Sequence, residues 1–502
     1  MRLADRLPPW LTGNHGRNAA ALVAGAFWPL AFAPFGLWPV ALMSLVALFW
    51  LVEHASPGNS AKRAFAFGIG LFGAGTWWVY VSISHFGGLH WALAGTVTGA
   101  MIVALALFVT LFGWAAARGL PPNGPARWLL GLPAVWVLVE WLRSWVLSGF
   151  PWLSAGYAFT DTWLAGYAPM GGVLAMSTGA ALTAGAILWV GNERSVRATV
   201  GAALLVAAVW LGGAALDRVE WTTAVGPPVT VALLQGNVTQ DKKWLTEQLE
   251  PTIRLYHQMT LEHADADIVV WPEAALPALK FQLDPYLERL AEVTREAGTS
   301  VVMGVLVWDA VDDHYYNSIL AVESGDLYHK RHLVPFGEFF PVPDAVRNWL
   351  RLLSLPYSDF TRGARDQAPL TAAGQRLAGS ICYEVAYGGE MIRAVPDSTL
   401  LVNISNDGWF GNTIAPHQHL QIARLRAREA GRWMLRATNT GVTAVIDSRG
   451  KLTAVLPQFE QGALRATVQP RDGATPYARA ANWPIVTVLV LLLGVAVRLR
   501  YA

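Results

Sequence analysis

The chain has 502 residues, of which 54% are apolar and only 14% charged, too few charges for an ordinary soluble protein of this length. A net charge of +2, with no stripe of basic and aromatic residues, argues against a nucleic-acid partner. One cysteine excludes an internal disulfide framework.

Charge is also divided unevenly, since 15 of the 72 Asp, Glu, Lys and Arg residues precede residue 217, so two parts facing different solvents are expected. A membrane-crossing helix needs about 20 mostly apolar residues, because hydrocarbon offers no partner to backbone polar groups. Seven such stretches are expected before residue 217, near 18–33, 37–53, 64–84, 89–116, 127–147, 165–191 and 198–216, and an eighth near 482–498. Ala33-Pro34-Phe35-Gly36 marks a turn between the first two. The first stretch reads as a retained signal-anchor, since the polytopic pattern continues at once. Sixteen of the 24 Trp lie in this half, many near span ends, as suits rings that favour the headgroup boundary.

Lys and Arg fall in alternate loops: Arg2, Arg6 and Arg17 before the first span, Lys62 and Arg63 after the second, Arg118 and Arg127 after the fourth, Arg194 and Arg197 after the sixth, Arg498 and Arg500 after the eighth. The loops near residues 34, 86 and 155 carry none. The positive-inside rule then puts both termini in the cytoplasm and the long segment between spans seven and eight in the periplasm of a bacterial inner membrane. Glu140 and Arg143, three residues apart, share a helix face in or beside span five. They read either as a structural ion pair near the outer interface or as a site where Arg143 holds a lipid phosphate.

From about residue 228 short apolar runs alternate with amphipathic segments. Residues 229–234, 267–271, 300–307, 318–322, 377–382, 399–404 and 442–446 read as strands, several apolar on both faces, and residues 244–264, 284–297 and 416–430 as helices. Such alternation predicts a layered α/β domain over residues 222–478. Residues 333–357, with Phe336, Phe339, Phe340, Trp349, Leu350, Leu352, Leu353 and Leu355 beside Arg347 and Arg351, have the composition of an interfacial arm or of a domain-core helix.

Glu273 follows the apolar strand Ile268-Val269-Val270-Trp271 and Pro272, so it should project at a strand end, where α/β folds collect their chemistry. Cys382 ends another apolar strand. Its thiol titrates near pH 8.5 when unperturbed, so a helix N-terminus or a neighbouring ammonium is needed to raise the thiolate fraction, and Lys330 could supply that charge. Taken alone, Glu273 could be a solvated loop acid, Lys330 an exposed strand charge and Cys382 a small buried hydrophobe. His417 and His419, two apart on a helix, lie on different faces, which speaks against zinc. No metal and no cofactor are expected, and no phosphate-binding P-loop is present.

The segments Trp271-Pro272-Glu273, Tyr328-His329-Lys330-Arg331-His332-Leu333-Val334-Pro335-Phe336-Gly337-Glu338 and Gly379-Ser380-Ile381-Cys382-Tyr383-Glu384 resemble, in order and approximate spacing, the Glu-Lys-Cys set of the carbon–nitrogen hydrolase (nitrilase) superfamily. With the expected spans and the further matches Leu234-Gln235-Gly236-Asn237, Lys243-Trp244 and Asn406-Asp407-Gly408-Trp409-Phe410, the chain resembles the apolipoprotein N-acyltransferase family nearly end to end. That resemblance implies an αββα sandwich beside a polytopic helical membrane domain. It implies Glu273 as general base, Cys382 as nucleophile, Lys330 as oxyanion stabiliser and Glu338 as its orienting partner. Tyr383 and Glu384 would shape the pocket, and Trp244 would face the acyl chain or headgroup, unless these three are ordinary packing residues. The implied donor is a membrane phospholipid, acylating Cys382 from the sn-1 position of phosphatidylethanolamine. The implied acceptor is the α-amino group of an S-diacylglyceryl cysteine at a lipoprotein N-terminus. Nothing in the sequence requires a partner subunit, so a monomer is expected. A membrane-tethered amidase, a ligand-binding transporter or scaffold, and transfer to another amine are the readings left open.

Overall fold

The structure, a computed structural model, describes residues 13–339 and 360–501. It divides into two compact units, one of Met1–Glu220, Asn412–Gln421 and Ala480–Ala502, the other of Trp221–Gly411 and Ile422–Arg479.

The second unit is built on two six-stranded sheets. Its strands are β1 (Thr223–Ala224), β2 (Val229–Gln235), β3 (Ile268–Val270), β4 (Ser300–Asp309), β5 (His314–Ala321), β6 (Leu327–His329), β7 (Leu370–Ala372), β8 (Gln375–Ile381), β9 (Leu400–Ser405), β10 (Met434–Thr438), β11 (Thr443–Ile446), β12 (Leu452–Leu456), β13 (Gly462–Val468) and β14 (Arg471–Asp472). One sheet runs β13-β2-β3-β4-β5-β6 and the other β12-β11-β10-β9-β8-β7, while β1 and β14 pair separately. Each sheet has three parallel strands at its centre, β2-β3-β4 and β8-β9-β10, with antiparallel neighbours outside. Parallel neighbours need a crossover, and helices Thr246–Glu262, Lys280–Ala297 and Ala415–Ala430 provide three of the four. The short turns of residues 382–394 make the fourth.

Burial explains why these segments fold so. Strands β3, β9, β10 and β11 are buried at every residue, as expected of strands covered on both faces. The helix Lys280–Ala297 buries Leu283, Leu287, Leu290, Ala291 and Thr294, one helical stripe. It packs with Tyr256 and Met259 of Thr246–Glu262 on Ala232, Leu234, Val269, Trp271, Val301, Met303 and Val305 of the first sheet. Between the sheets the buried Gln235 of β2 accepts from Thr443 at 2.5 Å and donates to Pro457 O at 2.7 Å, so a polar group at the heart of the sandwich is satisfied. Each of the seven strands expected from sequence overlaps an observed one, and the three expected helices are present. Strands β1, β6, β7, β10, β12, β13 and β14 are additions to that expectation; β1 and β14 have two residues each, β6 and β7 three, and β12 and β13 are edge strands with exposed positions.

The first unit is helical. Every stretch expected to span a membrane contains a helix, but among the described residues only four helices are long and apolar enough by length and composition: Trp91–Gly119, Trp163–Glu193, Val196–Leu216 and Trp483–Tyr501. A bent pair, Pro57–Gly75 with Trp78–Phe86, would make a fifth. The helices Asn14–Ala26, Trp38–Leu51 and Leu132–Arg143 have 13, 14 and 12 residues and fall short alone. Close helix crossings hold the unit together. A Cβ on Gly25 would sit 2.0 Å from Phe67 O, and one on Gly70 would sit 2.0 Å from Leu22 O, so both glycines are needed for backbone-to-backbone approach.

Arg143 and Glu140 are 4% and 3% exposed and serve the loop that comes after their helix. Arg143 Nη1 donates to Phe150 O and, at 2.7 Å, to Trp152 O; Nη2 donates to Ser154 Oγ at 3.1 Å. Glu140 Oε1 accepts from Ala155 N at 2.8 Å. Arg143 thus points its guanidinium at two carbonyls and a hydroxyl of that loop. Of the expected interfacial arm, residues 340–359 lie outside the described residues, while Leu333 is buried and Phe336 is 62% exposed.

The second unit holds a fully buried ion pair, Arg436 Nη2 to Asp407 Oδ2 at 2.9 Å with both side chains at 0% exposure. Asp407→Ala removes the carboxylate that compensates a buried guanidinium and is expected to cost about 3–5 kcal/mol of stability. Thermal or denaturant unfolding of the purified chain measures it, with Asp407→Asn losing less.

Candidate active site

Four chain segments of the second unit converge where strands end. The turn after β3 carries Glu273, β5 carries Asn317, the residue after β6 is Lys330, and Cys382 comes directly after β8. Lys330 is 1% exposed, and its Nζ donates to Glu338 Oε1 at 2.7 Å and to Glu273 Oε1 at 3.3 Å. The amide of Asn317 donates to the same two oxygens, at 2.7 Å to Glu273 and 3.3 Å to Glu338. The other Glu273 oxygen accepts from Asn406 N at 2.9 Å, and the other Glu338 oxygen from Val334 N at 2.8 Å. Each carboxylate is thereby held by backbone on one side and by Lys330 and Asn317 on the other.

Burial alone would push the Lys330 ammonium down. The negative charges of Glu273 and Glu338, with the hydrogen bond that the latter accepts, outweigh it and hold Lys330 well above the usual lysine range. Lys330 is a permanent cation here. Burial pushes the Cys382 thiol up, the Glu273 charge adds to this, and the charge of Lys330 and a Ser405 hydrogen bond oppose it. The sulfur therefore rests as a thiol, and its activation needs a base at the moment of attack. The Lys330 charge acts in the direction expected from sequence, favouring the thiolate, but burial and the Glu273 charge outweigh it, and the element that begins at Cys382 is a five-residue 3-10 turn, too short to lend a helix dipole.

Backbone strain marks the same two places. Cys382 has φ +51° and Ala274, next to Glu273, φ +42°, a left-handed region that side-chain-bearing residues rarely occupy. At Cys382 the sharp turn carries the residue out of the strand direction. Glu384, three residues from Ile381, fastens that turn: its carboxylate accepts from Ile381 N at 2.7 Å, Arg331 N at 2.6 Å, His332 N at 3.0 Å and Tyr328 Oη at 3.1 Å. Burial pushes it up to about 7. One carboxylate thus couples the turn of Cys382 to the segment beginning at Lys330. Tyr383 is 9% exposed, with its ring 5.1 Å from that of Tyr387. Trp244 is half-buried, and the Lys243 ammonium lies 5.8 Å from its ring centroid.

The structure brings Glu273, Lys330 and Glu338 into direct contact, ties Glu384 to the Lys330 and Cys382 segments, and gives Cys382 an electrostatic coupling to Glu273 and Lys330. Sequence reasoning assigns no role to Asn317 or Gly304. Asn317 carries a weak signal, a polar residue opening the fully buried stretch of β5. Gly304 carries none, yet a Cβ there would meet Ala274 N at 2.5 Å and Pro272 O at 2.6 Å.

Two family models match the chain: the apolipoprotein N-acyltransferase N-terminal domain over residues 24–186 and carbon-nitrogen hydrolase over residues 230–477. Apolipoprotein N-acyltransferase of Methylococcus capsulatus is 43% identical over 95% of this chain and 94% of its own length. The chain belongs to the apolipoprotein N-acyltransferase family. Its relatives of that name from Pseudomonas syringae pv. tomato and Azotobacter vinelandii are 43% and 44% identical, over 95% and 97% of this chain and 96% and 95% of theirs. The two family models meet the two structural regimes described above, helical before residue 217 and two-sheeted after it. In this family member the carbon-nitrogen hydrolase match covers all of Glu273, Lys330, Glu338 and Cys382.

Gly304→Ala is expected to push the Glu273 turn outward, with a loss of about 1–3 kcal/mol from overpacking and a slower reaction of Cys382. Unfolding measurements together with the rate of Cys382 alkylation check both.

Proposed function

We propose that the chain transfers a fatty acyl group from a glycerophospholipid, through a thioester on Cys382, to the α-amino group of an S-diacylglyceryl cysteine at a lipoprotein N-terminus. The observation that carries this reading is the buried cluster in which Glu273 and Glu338 share the Lys330 ammonium beside a single resting thiol. It is supported by the apolar helices and by a family likeness over 95% of the chain.

In the first step the Cys382 sulfur attacks the ester carbonyl, at sn-1 of phosphatidylethanolamine, while Glu273 takes the thiol proton. Lys330 stabilises the oxyanion of the tetrahedral intermediate. As the C–O bond breaks, the leaving alkoxide takes the proton from Glu273 and departs as lysophospholipid. In the second step the acceptor amine attacks the thioester, Glu273 takes a proton from nitrogen, and the C–S bond breaks as the proton returns to sulfur. Amide replaces thioester, and the enzyme is restored. Glu338 and Asn317 keep Lys330 and Glu273 in register. An amine must outcompete water for the thioester, which favours a site as buried as this one.

The membrane arrangement completes the reading. Eight spans are proposed: the four long helices, the bent pair, and three shorter ones extended by neighbouring turns. The segment 126–143, a π-helical turn running into Leu132–Arg143, reaches 18 residues, and its charged Arg127, Glu140 and Arg143 are buried in protein. The loop distribution of Lys and Arg supports cytoplasmic termini and a periplasmic catalytic unit in a bacterial inner membrane. A monomer suffices for this chemistry.

Purified chain incubated with phospholipid and no acceptor is expected to gain an acyl-sized mass, lost on neutral hydroxylamine treatment and absent in Cys382→Ser. Folded wild-type chain that gains no mass overturns the proposal. Lys330→Met is expected to slow acyl-enzyme formation about 10²–10³-fold, measured in single turnover.

A further inference from the structure

Lys243 is a second buried lysine at this site, and the chemistry above leaves it without a task. It is 1% exposed, and its Nζ donates to the main-chain carbonyl of Glu273 at 3.1 Å. The short helix that ends on it, Gln240–Lys243, is pinned from a second direction: Gln240 Oε1 accepts from Asn406 Nδ2 at 2.8 Å, and Asn406 N donates to the Glu273 carboxylate at 2.9 Å. Asn439 closes the ring, donating to Val238 O at 2.7 Å and to Asn406 Oδ1 at 3.3 Å. The turn of residues 238–243 therefore touches both the backbone and, through Asn406, the carboxylate of Glu273.

Charge gives this contact a purpose. Two carboxylates, Glu273 and Glu338, face the single ammonium of Lys330, and a third, Glu384, is electrostatically coupled to it, so carboxylates outnumber cations in the buried cluster. An excess negative charge opposes each anionic species the chemistry requires, the sulfur losing its proton and the tetrahedral oxyanion alike. Lys243 brings a second ammonium to the cluster, electrostatically coupled to Glu273. Glu273 from the turn after β3 and the aromatic ring of Trp244 lie against Lys243; Gln240 and Asn406 nearby are neutral, and Asp241 and Lys242 of its own turn are exposed.

We propose that Lys243 is a positioning residue and the charge-balancing cation of the site, holding the Glu273 turn by its carbonyl and favouring the ionised carboxylate that receives the thiol proton. This rests on Glu273 acting as the base. Burial lowers Lys243 to about 8, with the Glu273 charge partly opposing, so its own charge is lost on the alkaline side of neutrality.

The test tracks the rate of Cys382 alkylation by iodoacetamide against pH in the full chain, beside the rate of acyl-enzyme formation from phosphatidylethanolamine. Removing a nearby cation raises a carboxylate's pKa, so Lys243→Gln, which retains a hydrogen-bond donor but no charge, is expected to displace the acid limb of both profiles upward by about one pH unit. Lys243→Arg is expected to keep the acid limb and to extend the alkaline limb, because arginine stays charged where lysine does not. An acid limb unmoved in Lys243→Gln overturns the proposal, whatever the absolute rate. Should the Gln variant fail to fold, an alkaline limb unmoved in Lys243→Arg overturns it equally. Wild-type chain that is alkylated but never acylated sinks the acyl-transfer reading instead, and the alkylation profiles still decide on Lys243.

Discussion

A lysine ammonium at 1% exposure is tolerable in a protein interior only if it is paired and hydrogen-bonded, and the second unit is organised around satisfying that demand for Lys330. Two carboxylates and one carboxamide surround it. Each carboxylate is in turn fixed by a backbone N–H, Asn406 for Glu273 and Val334 for Glu338. Leaving out any one member would strand a buried charge or donor, so the cluster is held as a unit. Preorganisation of this sort is what lets an oxyanion be met by a cation that does not need to reorient.

The fold delivers these groups because its two sheets repeat one device. Parallel strands β2-β3-β4 and β8-β9-β10 form the two sheet centres, and the residues just beyond their ends include the candidate groups Glu273 after β3 and Cys382 after β8, with Asn406 after β9 holding Glu273. The sheets meet through residues that are themselves satisfied, such as Gln235, so the facing strand ends have little freedom to shift. Strain at Cys382 and Ala274 is carried by this rigid surround.

Much of this is legible in the sequence, and the failures have physical causes. Apolar runs such as Ile268–Val270 announce buried strands, and the stripe of Leu283, Leu287 and Leu290 announces a helix. Edge strands such as β12 and β13 do not, because their exposed faces blur the alternation. Glu273, Lys330 and Cys382 stand out through their order and neighbours. Asn317 and Gly304 act by proximity across the fold, through a contact with a residue 44 positions away or through a missing Cβ, and composition cannot show that; Lys243 is marked in the sequence by its motif, but not its contact with the Glu273 carbonyl. Arg143 reads two ways for a related reason: an arginine in an apolar helix can hold something outside the protein or serve the protein itself, and its donors here go to the protein's own loop.

The high-lying thiol of Cys382 has a further consequence, for the lifetime of the enzyme. Peroxides and other oxidants attack thiolate sulfur far faster than its protonated form. By favouring the proton on sulfur, burial slows sulfenic and sulfinic damage to the chain's one thiol, which has no second cysteine to repair it. Reluctance to ionise and durability against oxidants are here the same property.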